Sequence, residues 1–259
     1  DMGSAIKGTQ QNHMGKQERG VFFDCWNTLI TFEAEDPMWI IMPLKKHAIH
    51  STQYHWDEIF EFADNFLKTY YRSHSLYEIS DQAFLRTVMM NYHIELDCSI
   101  EQAADEIMDG LSPKPVEGIT DFLDILLKEK EDYFVLSNTI YSADKTREIL
   151  ERILPSYHFP HVIASKDLGV KKPNPVFFQT GCRYYNKNIK ESIYIGDAYF
   201  QDVYGSYNAG FYRSIWLNWM GKKEAEQLIN HPGLTTFEHI EVNGYQEVIR
   251  LYQEGKLWR

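Results

Sequence analysis

The sequence predicts an α/β protein: a three-layer core on a parallel sheet, interrupted by an inserted helical segment. Two observations carry the prediction. From residue 116 onward, helical apolar stripes alternate with short apolar runs, and that alternation builds parallel sheets. Between residues 32 and 112 the chain instead becomes rich in aromatics and charges, with almost no glycine and apolar positions at helical spacing. A third observation bears on function. Polar residues follow several of the apolar runs directly, and open parallel sheets do their chemistry at the carboxyl ends of strands.

The elements follow in order. Met2-Gly3-Ser4 through His13-Met14 reads as an expression tag or a native polar tail, so residues 1–14 are set apart from the fold. Val21-Phe22-Phe23 is a short apolar run before a polar loop, the mark of a buried parallel strand. The insert, 33–112, has helical spacing over 38–50, 56–71, 82–92 and 100–108. Within it Trp56, Ile59, Phe60, Ala63, Phe66 and Leu67 share one face. Ser112-Pro113-Lys114-Pro115 ends it. The core comprises 15–32 and 113–259. It resumes with a helical stripe over 116–130, a strand from Tyr133 to Leu136, a helix over 141–154 and a strand from His161 to Ala164. A helix over 175–187, a strand from Ser192 to Ile195, a helix over 200–209 and a strand from Phe211 to Leu217 follow. The tail from 223 reads as helix, turn, helix, with Asn243-Gly244 as a turn.

Composition narrows the function. A length of 259 residues suits one domain plus an insert, and 44% hydrophobic residues suffice for a full core. The net charge of -11 argues against a nucleic-acid backbone partner. It leaves room for a small anionic substrate beside a local cation or metal. Three cysteines without paired spacing predict a reducing, cytoplasmic setting. No apolar run reaches membrane-span length, no polar-to-apolar leader opens the chain, and the scattered histidines show no zinc spacing. Oligomeric state is not legible.

Four runs carry chemistry. Asp24 ends the first strand, where a carboxylate can attack phosphorus or carbon, and the next backbone N–H groups can cradle an anion. Asn27 in that loop tolerates a left-handed backbone. Ser137-Asn138 follows the second core strand; alone it is an ordinary turn pair. Lys171-Lys172-Pro173 lies in a loop after the third. Gly196-Asp197 with Asp202 sets two acids on a loop entering a helix, within reach of one hard cation such as Mg²⁺. A lone acid there would be a helix-start residue favoured by the dipole.

Asp24-Cys-Trp-Asn-Thr28, Ser137-Asn138, Lys172-Pro-Asn-Pro175 and Gly196-Asp197 with Asp202, in this order, resemble the haloacid dehalogenase-like (HAD) hydrolase superfamily. The resemblance implies a Rossmann-like core with a helical cap, closing over a small phosphorylated substrate. It implies Asp24 as nucleophile and Lys172, rather than Lys171, as the cation that orients it and offsets charge. Thr28, Ser137 and Asn138 would bind the phosphoryl group. The Asp24 carboxylate, the Trp26 carbonyl and Asp197 would hold Mg²⁺, with Asp202 a ligand through water or an orienter of Lys172.

Trp26 departs from that pattern, because phosphatases of the superfamily carry there an aspartate that protonates the leaving group and activates water. That help is worth about 10² to 10⁴ in rate, and an indole cannot give it. Four readings stay open. A phosphatase could act on good leaving groups, or use His47, His50 or Glu33 of the insert as acid. A 2-haloacid dehalogenase needs no acid, but generally lacks the full metal site. A phosphonate hydrolase would need a reactive lysine, with Lys45, Lys46 and Lys68 present. A phospho-ligand binding protein would turn over little. Outside these, an acidic interaction module could use the aromatic insert to dock a protein. Trp39 and Phe32, near the start of the insert, are the aromatics most open to substrate contact; the rest suit its core.

Overall fold

The computed structural model describes residues 18–73, 75–223 and 237–258. The expected tail over 1–14 and the helix expected from 223 therefore lie outside the described residues. By internal contacts the chain divides into two compact units: Phe32–Lys114, and Asp1–Thr31 with Pro115–Arg259.

The larger unit is built on a six-stranded sheet in the order β5-β4-β1-β6-β7-β8. Its strands are β1 (Val21–Phe23), β4 (Tyr133–Ser137), β5 (Val162–Ala164), β6 (Ile193–Gly196), β7 (Arg213–Leu217) and β8 (Ile240–Val242). Every pairing is parallel. Taken in chain order, the strands run outward from β1 on one side and then from β6 on the other. The direction of winding thus reverses between β1 and β6, where open α/β sheets place their sites.

Helices on both faces explain why these strands read as unbroken apolar runs. Alternate side chains of β1 point to opposite faces. Phe22 stacks on Phe134 at 4.6 Å in a cluster with Phe177, Phe178, Tyr194 and Phe211. Phe23 turns the other way and meets Phe122 edge-on at 6.0 Å. Full burial of each such ring contributes about 1.5–3 kcal/mol.

β8 was hidden in the sequence. Ile240-Glu-Val242 is no unbroken apolar run, yet it pairs with β7 and precedes the helix Tyr245–Gln253. The expected 200–209 helix is a π-helical turn, Tyr199–Tyr204, running into the α-helix Gly205–Ala209. A second pairing not foreseen joins β2 (Ile30–Ala34) to β3 (Leu111–Pro115) where the chain enters and leaves the insert.

The smaller unit is helical, with Trp56–Arg72 and Asp81–Tyr92 as its longest elements. Ile59 and Ala63 are buried, and Phe66 stacks on Phe84 at 5.8 Å. Ser80 and Ser99 cap their helices by accepting from Ala83 and Gln102 N–H. Phe32 and Trp39 pack edge-to-face at 5.8 Å. No described helix is long and apolar enough to cross a membrane.

Candidate active site

The Asp24 N–H donates to the Ile195 carbonyl at 2.9 Å, extending the β1–β6 ladder one residue beyond β1. This fixes the Asp24 side chain at the point where the winding reverses. The chain then turns tightly, with the N–H groups of Leu29 and Ile30 converging on the Cys25 carbonyl. Asn27 takes the left-handed backbone this turn requires, at φ 59°. Trp219 donates to the Asn27 carbonyl at 2.8 Å and the Tyr245 hydroxyl to the Thr28 carbonyl at 2.7 Å, so the turn is tied to the segment after β7 and to the last helix.

Lys172 is 1% exposed, and its three ammonium hydrogens have three acceptors. Nζ lies 2.7 Å from Asp24 Oδ1, 2.7 Å from Asp202 Oδ1 and 2.8 Å from the Tyr194 hydroxyl. The Tyr194 hydroxyl in turn lies 3.0 Å from Asp202 Oδ1 and 3.2 Å from the Leu136 carbonyl. Tyr194 was not singled out in the sequence, because a tyrosine inside an apolar strand reads as core. The signal was that its hydroxyl needs a partner when buried.

Asn138 turns its side chain to Lys172. Its side-chain amide does not stand open to a phosphate. Oδ1 accepts from the Lys172 N–H at 2.8 Å and Nδ2 donates to the Lys172 carbonyl at 2.9 Å. The amide grips the backbone of the residue whose side chain reaches Asp24. Thr28 and Ser137 behave differently. Both hydroxyls are buried without a hydrogen-bond partner among the described residues, apart from the weak thiol of Cys25 near Ser137. Buried polar atoms left open in this way suit an acceptor-rich ligand.

Asp202 reaches the cluster because Gly196 has no side chain. A Cβ on Gly196 would come within 2.4 Å of the Asp202 Cβ. Asp202 Oδ2 accepts from the Ala198 N–H at 3.0 Å, so both of its oxygens are engaged. Of the two roles expected for Asp202, this geometry favours orienting Lys172. Asp197 has its carbonyl held by Trp216 Nε1 at 3.0 Å, and its Oδ2 accepts from Lys222 Nζ at 3.0 Å. Trp26 is half-buried and forms an isolated bridge with Ile30.

Asp24, Asp197 and Asp202 each bring one oxygen within 4.8 Å of the others, all buried. Burial first, and then the Asp202 charge, push the Asp24 carboxyl well above the ordinary range, although Lys172 opposes this. The Asp197 carboxyl is raised by the same two causes against the pull of Lys222. Burial alone would lower Lys172, but the two carboxylates outweigh it and hold its proton more tightly than usual. The donor set is all oxygen, strained by like charge, and a hard divalent cation would relieve it. The residues therefore fit Mg²⁺.

Of the side chains expected as substitute acids or amines, four are engaged inside the insert: His47, Glu33, Lys46 and Lys68. His47 lies 2.9 Å from both Asp97 Oδ1 and Glu106 Oε2, Glu33 is 2.6 Å from Lys114, and Lys46 is 2.7 Å from Glu106. Lys68 pairs with Asp64.

The family model for haloacid dehalogenase-like hydrolases matches residues 51–217. A curated relative, the glyceraldehyde 3-phosphate phosphatase of Pyrococcus furiosus, is 32% identical over 95 residues, which is 37% of this chain and 39% of that protein. The match thus spans about two fifths of that relative's length. A haloacid dehalogenase-like phosphatase from Thermococcus onnurineus superposes with a TM-score of 0.58 at 18% identity, covering 90% of this chain and 97% of that one. A 2-haloacid dehalogenase from Pseudomonas syringae gives 0.61 at 17%, covering 92% and 99%. At such identities both likenesses speak for the fold alone.

Proposed function

The chain belongs to the haloacid dehalogenase-like hydrolases, and from that premise we propose that it is a Mg²⁺-dependent phosphatase for a small phosphorylated metabolite. The carrying observation is the buried cluster in which one oxygen of Asp24 accepts from Lys172 while Asp197 and Asp202 stand within 4.8 Å. The partial likeness to a glyceraldehyde 3-phosphate phosphatase supports the phosphoryl reading.

In this reading the free oxygen of Asp24 attacks phosphorus, the ester bond breaks, and the leaving oxygen departs with its electron pair. Water then attacks the aspartyl-phosphate, releasing phosphate and restoring Asp24. Lys172 holds Asp24 in line and offsets the added negative charge, and Asp202 and Tyr194 hold Lys172. The open hydroxyls of Thr28 and Ser137 donate to phosphoryl oxygens. A divalent cation held by Asp24, the Trp26 carbonyl and Asp197 would supply the remaining positive charge. Asn138 acts by positioning Lys172.

Trp26 leaves the leaving oxygen without the usual carboxyl acid, so substrates with acidic leaving groups are favoured. The same residue suits halide departure. The paired Asp197 and Asp202 weigh against that second reading, since a carbon–halogen displacement has no phosphoryl charge for a dication to balance.

The test is phosphate release from a panel that includes acetyl phosphate, p-nitrophenyl phosphate and glyceraldehyde 3-phosphate. It is run with Mg²⁺, with EDTA, and with Asp24→Asn. Metal-dependent release lost in the variant is expected, with acetyl phosphate ahead of alkyl esters. Absence of release, with chloride freed from 2-chloroacids, would replace the phosphatase by a dehalogenase.

A further inference from the structure

Lys222 has no part in the chemistry above, yet its position is built. Asn218, immediately after β7, is buried and turns both ends of its amide to the backbone of this residue. Oδ1 accepts from the Lys222 N–H at 2.8 Å and Nδ2 donates to the Lys222 carbonyl at 2.7 Å. Asn218 is anchored in its turn by its N–H on the Val242 carbonyl and by Nδ2 on Glu241 Oε1 at 2.7 Å. Gly221, at φ +66°, supplies the left-handed turn that brings the lysine back toward the sheet. Asn138 makes the same two-point grip on Lys172, one residue beyond β4. Two asparagines at two strand ends thus each present one lysine to the cluster, Lys172 to Asp24 and Asp202 and Lys222 to Asp197.

The two lysines differ in a way that matters. The Lys172 side chain is 1% exposed and has no room to leave, whereas the Lys222 side chain is 32% exposed with its head on Asp197 Oδ2. Without Lys222, three carboxylates would face a single ammonium; with it they face two. We propose that Lys222 is a tethered, displaceable counter-ion of Asp197, which competes with the divalent cation and sets how tightly the site binds it. This rests on the metal-binding reading above. The ammonium can swing outward into water along its flexible stem when a dication takes Asp197. Two effects of removing it oppose each other. Loss of an orienting bond to Asp197 would loosen a ligand, while loss of a positive charge would deepen the attraction for a dication. In a buried cluster of low dielectric the charge effect dominates.

The experiment is calorimetric titration of the full chain with MgCl₂, in the wild type, Lys222→Gln, Lys222→Arg and Asp197→Asn. Thermal unfolding is followed with and without Mg²⁺. Lys222→Gln is expected to bind Mg²⁺ about tenfold more tightly, or ~1.4 kcal/mol. It should melt lower than wild type without the ion and gain more from adding it. Lys222→Arg, which keeps the charge, should stay near wild type, and Asp197→Asn should lose binding. Equal or weaker binding in Lys222→Gln, with wild-type binding intact, overturns the counter-ion role and leaves the metal reading standing. No binding in either protein overturns the metal reading and this proposal with it.

Discussion

Tyr194→Phe removes one oxygen from the centre of the network and nothing from its packing. The hydroxyl is fully buried, 2.8 Å from Lys172 Nζ, and is the third of three acceptors for that ammonium. Phenylalanine fills the same space against Phe178 and Phe211. What is lost is a hydrogen bond to a charged donor, with one N–H left unpaired on Lys172, which is 1% exposed. Such a loss costs about 1.5–3 kcal/mol. Each kcal/mol moves the melting temperature of a protein this large by about 2–4 °C, so a fall of roughly 3–12 °C is expected in thermal unfolding. Lys172 also loses one of three restraints, so kcat should fall by roughly tenfold, the equivalent of 1.36 kcal/mol in the barrier. KM should hold, because the buried Tyr194 hydroxyl is taken up by Lys172, Asp202 and the Leu136 carbonyl. A variant that melts within a degree of the wild type with unchanged kcat would refute the claim that the phenol holds the lysine.

Further outcomes follow from the site and from the insert. Trp26→Asp restores a carboxyl at the missing acid position and should raise turnover of poor leaving groups by about 10² or more while barely changing acetyl phosphate, read as the ratio of the two rates. His47 lies between Glu106 and Asp97, and its hydrogen bonds to these two carboxylates raise it above the ordinary histidine value of 6.5. The stabilisation is therefore fully present below that value and is lost as pH rises through the higher folded one. An NMR titration of His47 should show a midpoint above 6.5 that falls in Glu106→Gln.

What the sequence disclosed and what it hid follow physical lines. Asp24, Ser137 and Asp197 were legible because each follows an apolar run and the four runs come in the order that carries the resemblance; alone, Ser137-Asn138 is a turn pair. Lys172 was legible from the proline beside it. Tyr194 was not, because a buried tyrosine looks like any other core aromatic until its hydroxyl partners are known. Lys222 was not either, since nothing in the residues around it points to Asp197, 25 residues earlier in the chain. β8, β2 and β3 carry polar or proline residues (Ile240-Glu-Val242, Ile30-Thr-Phe-Glu-Ala34, Leu111-Ser-Pro-Lys-Pro115), so none makes the apolar run that marked the other strands. The π-helical turn at Tyr199–Tyr204 depends on how Asp202 meets Gly196, a contact that pattern alone does not encode. For Asn138, its place beside the site is visible in the sequence, whereas the direction of its side-chain amide is a matter of three-dimensional packing.

The two asparagine grips also limit the alphabet at their positions. Each needs a donor and an acceptor side by side on one short stem, facing a backbone N–H and C=O. Aspartate matches the shape but sets oxygen against oxygen at the lysine carbonyl, leucine offers neither group, and glutamine carries the right fork one carbon too far. In a library randomised at 138 and 218 and selected for turnover, asparagine should survive at both positions while neighbouring surface codons drift, so the two lysines are guarded by residues that a survey of reactive groups would pass over.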